Sequence, residues 1–460
     1  MLSGLVDRRN MLPGVVGVSC ALCVAGLVQA TSDPRISLVC AGLAITLLAG
    51  TFFGPKPLVT ALIILSAMTY FRLPVGNLNL RLDTALVPAC VLSCAVHGHL
   101  SAFIRQFRRR EIQLLAVYLV LNYAASVAFS ENRAASLTIC IWLTLNLLIV
   151  ALALTVFEDD KQGLYRRMYM AASIVVATGV GGWVLAALTG NTIGASLDAG
   201  QGLRARGISF EPNILAGVAA MWTLILLTQQ RHLRKGEWLF VALAVAAIPL
   251  STTRAAFVAL AAGLCVFALR MGARVTRLIP VTLAGGLALA VVRVATPGAF
   301  ASITTKFADL SFTNQTSSYR LDSWRLAVQQ MSGTDWLTGK GTNSFGQRNF
   351  DPTHPGEHLP YYLGNLPLAT VYDVGLVGIA VLFVVAVILA RRKGPDSHGA
   401  RRAAVLVTFV LLSVGTSPFF FSTYWLFIAI ALARSKTTDP QVVLPVPVLP
   451  KVGLVHTAAR

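Results

Sequence analysis

The sequence predicts an all-α protein built as a polytopic bundle of transmembrane helices. Hydrophobic residues make up 55% of the 460 residues and charged residues only 12%, whereas a soluble chain carries about twice that charged fraction. Apolar runs of roughly 17–25 residues recur from end to end, and each is long enough to cross a bilayer as a helix. The alternating apolar and polar pattern of a membrane β-barrel is absent from the sequence.

We predict about fourteen spans, and about twelve or thirteen remain possible because several runs are short or contain Pro and Gly. Backbone groups in lipid must be hydrogen-bonded within the segment, so each run is predicted as a helix. The predicted spans are residues 12–30, 36–54, 57–71, 84–98, 112–130, 135–157, 168–189, 212–229, 237–250, 254–270, 278–297, 366–390, 403–418 and 420–433.

The net charge of +19 would indicate nucleic-acid binding in a soluble protein. If the N-terminus is cytoplasmic and the spans alternate, most Lys and Arg fall in cytoplasmic loops, for example Arg105–Arg110, Arg231–Lys235 and the block from Arg391 to Arg402. This is the positive-inside bias of membrane proteins. It accounts for the charge without nucleic acid and predicts that both termini are cytoplasmic.

The domain prediction is one integral membrane domain over residues 1–434 and a disordered, Pro-rich cytoplasmic tail over residues 435–460. Most predicted loops are short. The exception is the long extracytoplasmic loop 298–365, and connections of this length usually carry function. Apolar residues at helical spacing predict that this loop contains short helices, including an amphipathic one from Ser317 to Gln330.

Four arginines fall on the predicted outer face, where positive charge is normally depleted. Arg204 and Arg206 precede Pro212, which is suited to begin a helix; Arg254 opens the next outward-facing turn, and Arg320 opens the amphipathic helix. Arginine holds phosphate through a planar fork that keeps its charge, and helix N-termini attract anions. The pattern predicts a metal-free pyrophosphate site. The alternative is that each arginine pairs with an acid, Glu211 or Asp322, or reaches lipid headgroups.

The sequence contains few other motifs that would indicate catalysis or metal binding. No P-loop, HExxH or GxSxG motif is present. The cysteines all lie in apolar spans, and the predicted outer loop 31–35 contributes only one acid, Asp33. We therefore predict neither a metal site nor a cofactor.

Three residues are candidates for a general base. His354 and His358 are the histidines of the predicted outer face, and histidine titrates near neutral pH. Asp373 lies inside a predicted span, where an acid is costly and often functional. The alternatives are a surface role for either histidine and an arginine partner for Asp373.

Four motifs between residues 200 and 380 resemble elements of the O-antigen ligase and polymerase superfamily, in the same order. They are Arg204-x-x-Gly207 followed by Glu211-Pro212-Asn213, resembling R-x-x-G…N-P-N; Ser251-Thr-Thr-Arg254, resembling T-x-S-R; Arg320-x-x-x-Trp324 followed by Gly339-x-Gly341, resembling R-x-x-x-W…G-x-G; and Gly364-Asn365 through Asp373-x-Gly375-Leu-Val-Gly378, resembling H-N…E-x-G-L-x-G.

The chain departs from the family pattern at one position, where Gly364 replaces a histidine. In the ligases, that histidine is thought to activate the acceptor hydroxyl. Three interpretations remain open: His358 or His354 replaces it, the protein uses another base, or it is a polymerase-like, divergent or inactive member.

The resemblance implies a GT-C type glycosyltransferase of the bacterial inner membrane that needs no metal. Its donor would be a glycan on undecaprenyl pyrophosphate. Its acceptor would be lipid A-core in a ligase or another lipid-linked repeat unit in a polymerase. Two alternatives are a transporter or flippase of lipid-linked sugars, which would be expected to show inverted repeats, and an inactive assembly partner.

Overall fold

The structure is a computed structural model of the chain. It describes residues 8–29, 34–70, 72–75, 78–198, 202–209, 211–229, 233–271, 290, 293, 315–349, 363–391, 396–416 and 418–433.

Helices dominate this part of the chain, which confirms the predicted all-α class. They are α1 (Arg8–Gln29), α2 (Pro34–Phe52), α3 (Pro55–Ala67), α4 (Leu82–Val96), α5 (Leu100–Gln106), α6 (Arg110–Phe129), α7 (Arg133–Phe157), α8 (Lys161–Thr189), α9 (Pro212–Leu227), α10 (Lys235–Leu250), α11 (Arg254–Met271), α12 (Gln315–Gln330), α13 (Asp335–Thr338), α14 (Ser344–Asn349), α15 (Leu366–Arg391), α16 (Asp396–Gly415) and α17 (Ser422–Leu432).

Four of these helices, α6, α7, α8 and α15, are long and apolar enough to cross a membrane by length and composition. Several others, including α3, α4, α9 and α17, are apolar but shorter. The structure is therefore consistent with a polytopic membrane protein, while the number of spans stays a prediction. Within the predicted long loop, α12, α13 and α14 are the expected short helices.

Local sequence explains where several helices begin and end. The Asn132 side chain accepts a hydrogen bond from the Ala135 N–H at 3.1 Å, which caps the start of α7. Asp160 caps α8 in the same way through the Gly163 N–H at 2.7 Å. Pro212 is the first residue of α9, a position that needs no N–H donor.

Two short antiparallel β-hairpins were not anticipated from the sequence. One pairs β1 (Arg72–Val75) with β2 (Leu78–Arg81), and the other pairs β3 (Ala195–Asp198) with β4 (Gly202–Ala205). The two hairpins lie at the same end of the bundle, because the Tyr70 N–H beside the first donates to the Ile208 carbonyl beyond the second at 3.0 Å.

We call this end of the bundle the arginine end and define it by Arg204, Arg254 and Arg320. The opposite end carries a separate set of ion pairs. Glu158 there pairs with Arg109 at 2.6 Å and with Arg105 at 3.7 Å. The two ends of the bundle therefore differ in their charged groups.

Helix α9 forms the centre of the bundle and is buried from Ile214 to Leu227. Trp222 on α9 and Trp425 on α17 are among the largest fully buried side chains. The Tyr424 hydroxyl lies against Gly217, so a larger residue at that position of α9 would collide with the ring. Because α9 is fixed by packing on all sides, its N-terminus is a rigid support at the arginine end.

Candidate functional site

Arg204 connects two of the motifs found in the sequence. It lies on β4 and only 8% of it is exposed. Its Nε donates to the Ser251 main-chain oxygen at 3.0 Å, and its Nη2 donates to the Asn213 side-chain oxygen at 3.4 Å. One guanidinium thus joins the second hairpin to the N-terminus of α9 and to the turn between α10 and α11.

That turn brings the N-termini of two helices together. The Thr253 hydroxyl, immediately before α11, donates to the Asn213 side chain in the first turn of α9 at 3.0 Å. The backbone at Thr252 adopts φ 54°, which reverses the chain after α10. Each helix N-terminus has unpaired N–H groups and the positive end of a dipole. Their convergence makes this corner electropositive.

Arg254 is the first residue of α11 and is half-buried there. Arg320 approaches the same helix from α12, because its Nη1 donates to the Gly415 carbonyl at 2.8 Å. A side chain at Gly415 would come within 2.6 Å of the Ala255 side chain, so Gly415 packs directly on the first turn of α11. The structure therefore brings Arg204, Arg254 and Arg320 to the segments around one helix N-terminus.

Arg206 lies on the edge of this group. Its guanidinium stacks over the Tyr70 ring at 4.5 Å, a favourable cation–π arrangement. Its Nε is buried and has no hydrogen-bond partner within the described part of the chain. The stacking connects Arg206 to the end of α3, so it is positioned beside the site by a different element from Arg204.

Glu211 and Asp322 were the acids that could pair with the arginines of the site. Asp322 pairs with Arg325 at 3.3 Å on the exposed side of α12, whereas Arg320 reaches Gly415. Glu211 immediately precedes α9 and adopts an extended backbone. Asp322 is thus engaged by another arginine.

Gly207, the glycine of the first motif, is required by its position. Its φ is +63°, and a Cβ there would lie 2.7 Å from the Gly179 nitrogen on α8. The Gly207 N–H donates to the Gly194 carbonyl at 2.7 Å. Only glycine fits such a close approach in a left-handed conformation, and this contact holds Arg204 and Arg206 against α8.

The third and fourth motifs dock onto each other. The N–H groups of Lys340 and Gly341 donate to the carbonyl oxygens of Tyr372 and Asp373 at 2.8 and 3.0 Å. A side chain at Gly339 would collide with the main chain of Asp373. The glycine-containing loop therefore lies directly on the backbone of α15.

Gly375 makes this docking possible by interrupting α15. Its φ is +71°, and a Cβ at this position would collide with the Leu337 carbonyl of α13. Carbonyl groups released from the helix by the break are available to the loop. The sequence Asp373-x-Gly375 is thus a helix break that receives the Gly339–Gly341 loop.

Thr342 fixes the same loop to the transmembrane helices. Its hydroxyl donates to the Asn122 side chain on α6 at 2.9 Å, and its N–H donates to the Ser126 hydroxyl at 3.1 Å. Its carbonyl accepts from the Ser136 hydroxyl on α7 at 2.8 Å. These hydrogen bonds lie away from water and give the loop one defined position.

Asp373 lies in a small cavity below this loop and is 7% exposed. The cavity is bounded by α6, α7, α15, residue 342 and the 3-10 turn Pro418–Phe420. The N–H of Asn343 lies near the Asp373 carboxylate. Among the described residues, no arginine or lysine lines the cavity or contacts this carboxylate. Asp373 therefore has no arginine partner within the described part of the chain.

His354 and His358 lie outside the described residues, so their roles stay predictions. Gly364 is described, and a Cβ at this position would lie within 4 Å of none of the described residues. Nearby, the Asn365 side chain accepts from the Leu368 N–H at 3.0 Å and caps α15. Position 364 therefore has room for a larger side chain.

A buried ion pair between Arg81 and Asp83 at the arginine end was not predicted from the sequence. Arg81 is 3% exposed and holds Asp83 through two hydrogen bonds of 3.1 and 3.0 Å. Its guanidinium also donates to Asn146 at 3.1 Å, to the Ser422 hydroxyl and to the Phe420 carbonyl. The sequence signal for this pair is an arginine and an acid two residues apart, just before an apolar run.

The described residues contain no group of three His, Cys, Asp or Glu side chains that could hold a metal ion. Residues 239–383 match the model of a family described as O-antigen ligase. The matched range includes Arg254, Arg320, the Gly339–Gly341 loop and Asp373, and it confirms the superfamily resemblance. No curated protein matches the chain.

Proposed function

We propose that this membrane enzyme of polysaccharide assembly transfers a glycan from undecaprenyl pyrophosphate to an acceptor hydroxyl. The match of residues 239–383 to a family described as O-antigen ligase supports this proposal. The acceptor is lipid A-core in a ligase or a lipid-linked repeat unit in a polymerase. The observation that carries the proposal is the convergence of Arg204, Arg254 and Arg320 on the N-terminus of α11.

In this proposal Arg204 and Arg254 bind the pyrophosphate of the donor, and Arg206 and Arg320 assist. When the bond between the sugar and the pyrophosphate breaks, negative charge grows on the leaving group. Arginine side chains and two helix N-termini are already aligned there and need little rearrangement to stabilise it. Their fixed positive charge provides the stabilisation for which other enzymes use a metal ion, so the proposed reaction is metal-independent.

The acceptor hydroxyl must lose a proton as it attacks the sugar. His354, His358 and Asp373 are the proposed groups for this step. The loop that contains Gly339–Gly341 would orient the acceptor and exclude water, because its hydrogen bonds to α6, α7 and α15 hold it in place.

We further propose that the arginine end faces the periplasm in the bacterial inner membrane and that both termini are cytoplasmic. The distribution of charge supports this orientation. The opposite end carries Arg105, Arg109 and Lys56 with their acid partners, in agreement with the positive-inside bias.

The experiment uses the full chain in proteoliposomes with a donor glycan on undecaprenyl pyrophosphate. We expect the wild type to release undecaprenyl pyrophosphate when acceptor is present. Arg204→Ala and Arg254→Ala should abolish release while leaving the protein in the membrane. Arg325→Ala is the matched control, since Arg325 is exposed on α12 and pairs with Asp322.

Wild-type activity in both arginine variants would reject the proposed donor site. A flippase would move the donor and leave the linkage of glycan to carrier intact. An inactive assembly partner would leave the donor unchanged even in the wild-type protein.

A further inference from the structure

The cavity around Asp373 combines two kinds of wall. Tyr118 and Asn122 from α6, Thr342 from the docked loop, and Thr370 and Asp373 from α15 bring polar groups to it. Leucine and phenylalanine side chains from α7, α15 and the 3-10 turn line the rest. The free space is about large enough for one small polar group, such as a water molecule or a hydroxyl.

Two buried groups in this cavity are incompletely satisfied. The Thr370 hydroxyl is buried without a hydrogen bond of good geometry to any described residue, although the Tyr118 hydroxyl lies near it. The Asn343 N–H lies near the Asp373 carboxylate, and a carboxylate has capacity for several donors. Leaving such groups without partners is costly, and a hydroxyl group is a ligand that satisfies both.

We propose that this cavity binds the attacking hydroxyl of the acceptor and that Asp373 accepts its proton. This inference rests on the proposed function and extends it, since it assigns the acceptor site and selects one of the candidate bases. Thr370 and Tyr118 would orient the same hydroxyl, each with an O–H group that donates or accepts.

The position of the cavity relative to the arginines supports this assignment. Gly415, which receives the hydrogen bond from Arg320, is followed in the chain by the 3-10 turn whose Phe419 lines the cavity. These two residues are four positions apart, so their Cα atoms lie within about 14 Å of each other. A donor held by the arginines would have its sugar within reach of the cavity.

The reaction step balances without a further reactant. The acceptor oxygen forms a bond to the anomeric carbon of the donor sugar, and the bond from that carbon to the pyrophosphate oxygen breaks. Undecaprenyl pyrophosphate leaves with the electron pair, and the proton of the acceptor hydroxyl moves to the Asp373 carboxylate.

The test compares variants on two separate measurements. One is transfer of glycan to acceptor by the full chain in proteoliposomes, and the other is binding of undecaprenyl pyrophosphate to the purified protein. We expect Asp373→Asn to reduce transfer by about 10²-fold or more and to keep carrier binding within about twofold. Asp373→Glu should recover part of the transfer, because it restores a carboxylate at this position.

Asp322→Asn serves as the control, since Asp322 is an exposed acid at the same end, and it should leave both measurements unchanged. Thr370→Val keeps the shape of the side chain and removes its hydroxyl. We expect it to raise the KM for the acceptor several-fold without changing carrier binding. If Asp373→Asn fails to fold, Thr370→Val tests the acceptor site on its own.

Full transfer by Asp373→Asn, or an unchanged acceptor KM in Thr370→Val, would overturn the acceptor site and leave the donor site standing. Loss of carrier binding in Arg204→Ala, together with lost transfer but normal carrier binding in Asp373→Asn, would support both proposals. Normal carrier binding and transfer in the arginine variants would reject the donor site instead.

Discussion

The Nε atom of Arg204 lies 3.0 Å from the main-chain oxygen of Ser251. This hydrogen bond joins residues 47 positions apart and connects two motifs that in the sequence are separated by two helices. The Ser251 carbonyl lies in the turn that leads to Arg254, the first residue of α11. The side chain of Arg204 is therefore oriented by the same turn that begins α11.

The first prediction concerns the shape of this side chain. Arg204→Lys keeps the positive charge but loses the planar fork that contacts Ser251 and Asn213 together. We expect transfer to fall by about 10²-fold, the usual effect of removing one aligned donor. The measurement is glycan transfer in proteoliposomes, with Arg325→Lys as the control. Equal activity in Arg204→Lys and the wild type would show that charge alone is sufficient.

The second prediction concerns the break in α15. Gly375→Ala introduces a side chain at φ 71° that collides with the Leu337 carbonyl. The backbone at this position, with φ 71° and ψ −173°, is essentially restricted to glycine. It costs about 1–3 kcal/mol for a residue with a Cβ, and the collision adds to it. We expect a clear drop in the thermal midpoint of the purified protein. Gly364→Ala is the control, because a Cβ there meets nothing within 4 Å. A normal midpoint for Gly375→Ala would contradict the docking of the two motifs.

The third prediction concerns the buried Arg81–Asp83 pair. Arg81→Met leaves the Asp83 carboxylate buried without its cation, a change that costs about 3–5 kcal/mol. Arg81→Met combined with Asp83→Asn should recover part of this loss, because no buried charge then remains unpaired. Thermal unfolding of the two single variants and the double variant measures the coupling. Additive effects would show that the two residues do not depend on each other.

The fourth prediction concerns pH at the opposite end of the bundle. Burial alone would raise the pKa of Glu158, but hydrogen bonds from Gln106 and Arg109 and the charges of Arg109 and Arg105 lower it below its ordinary value of 4.5. A depressed pKa means that this carboxylate stabilises the fold above pH 4.5 and loses that effect as the pH falls through the folded-state value. The difference in thermal midpoint between wild type and Glu158→Gln should therefore shrink below pH 4.5. A constant difference across that range would contradict the pKa shift.

Much of the fold follows from local sequence. Apolar runs are a local signal, and they predicted the helical class and the helical segment from Ser317 to Gln330. Pro212 likewise indicated the start of α9. The arginines were predicted to form a binding site because positive charge is normally depleted on the outer face. The structure brings Arg204, Arg254 and Arg320 to one corner.

The remaining features depend on contacts that no local pattern encodes. Strands of four residues, such as Gly202–Ala205, carry too little periodicity to be predicted. Thr342 bonds Asn122 across 220 positions, and the cavity around Asp373 exists only once α6, α7 and α15 meet. Arg81 was missed because its partners Asn146 and Ser422 come from distant helices. The same long separations explain why Asp373 could be suspected from the sequence but its surroundings could not.

The last prediction concerns the missing histidine. Gly364 has open space around it, and Leu366, two residues further on, lines the Asp373 cavity. A histidine at 364 therefore has room and begins close to the proposed acceptor site. We expect the double variant Gly364→His with Asp373→Asn to transfer glycan about tenfold faster than Asp373→Asn alone. A neutral imidazole would accept the proton in place of the carboxylate. The recovered activity should rise with pH around about 6.5, the ordinary pKa of histidine. Gly364→Gln has a similar size and no basic nitrogen, so it should recover nothing. Recovery with glutamine, or none with histidine, would show that position 364 does not reach the attacking hydroxyl.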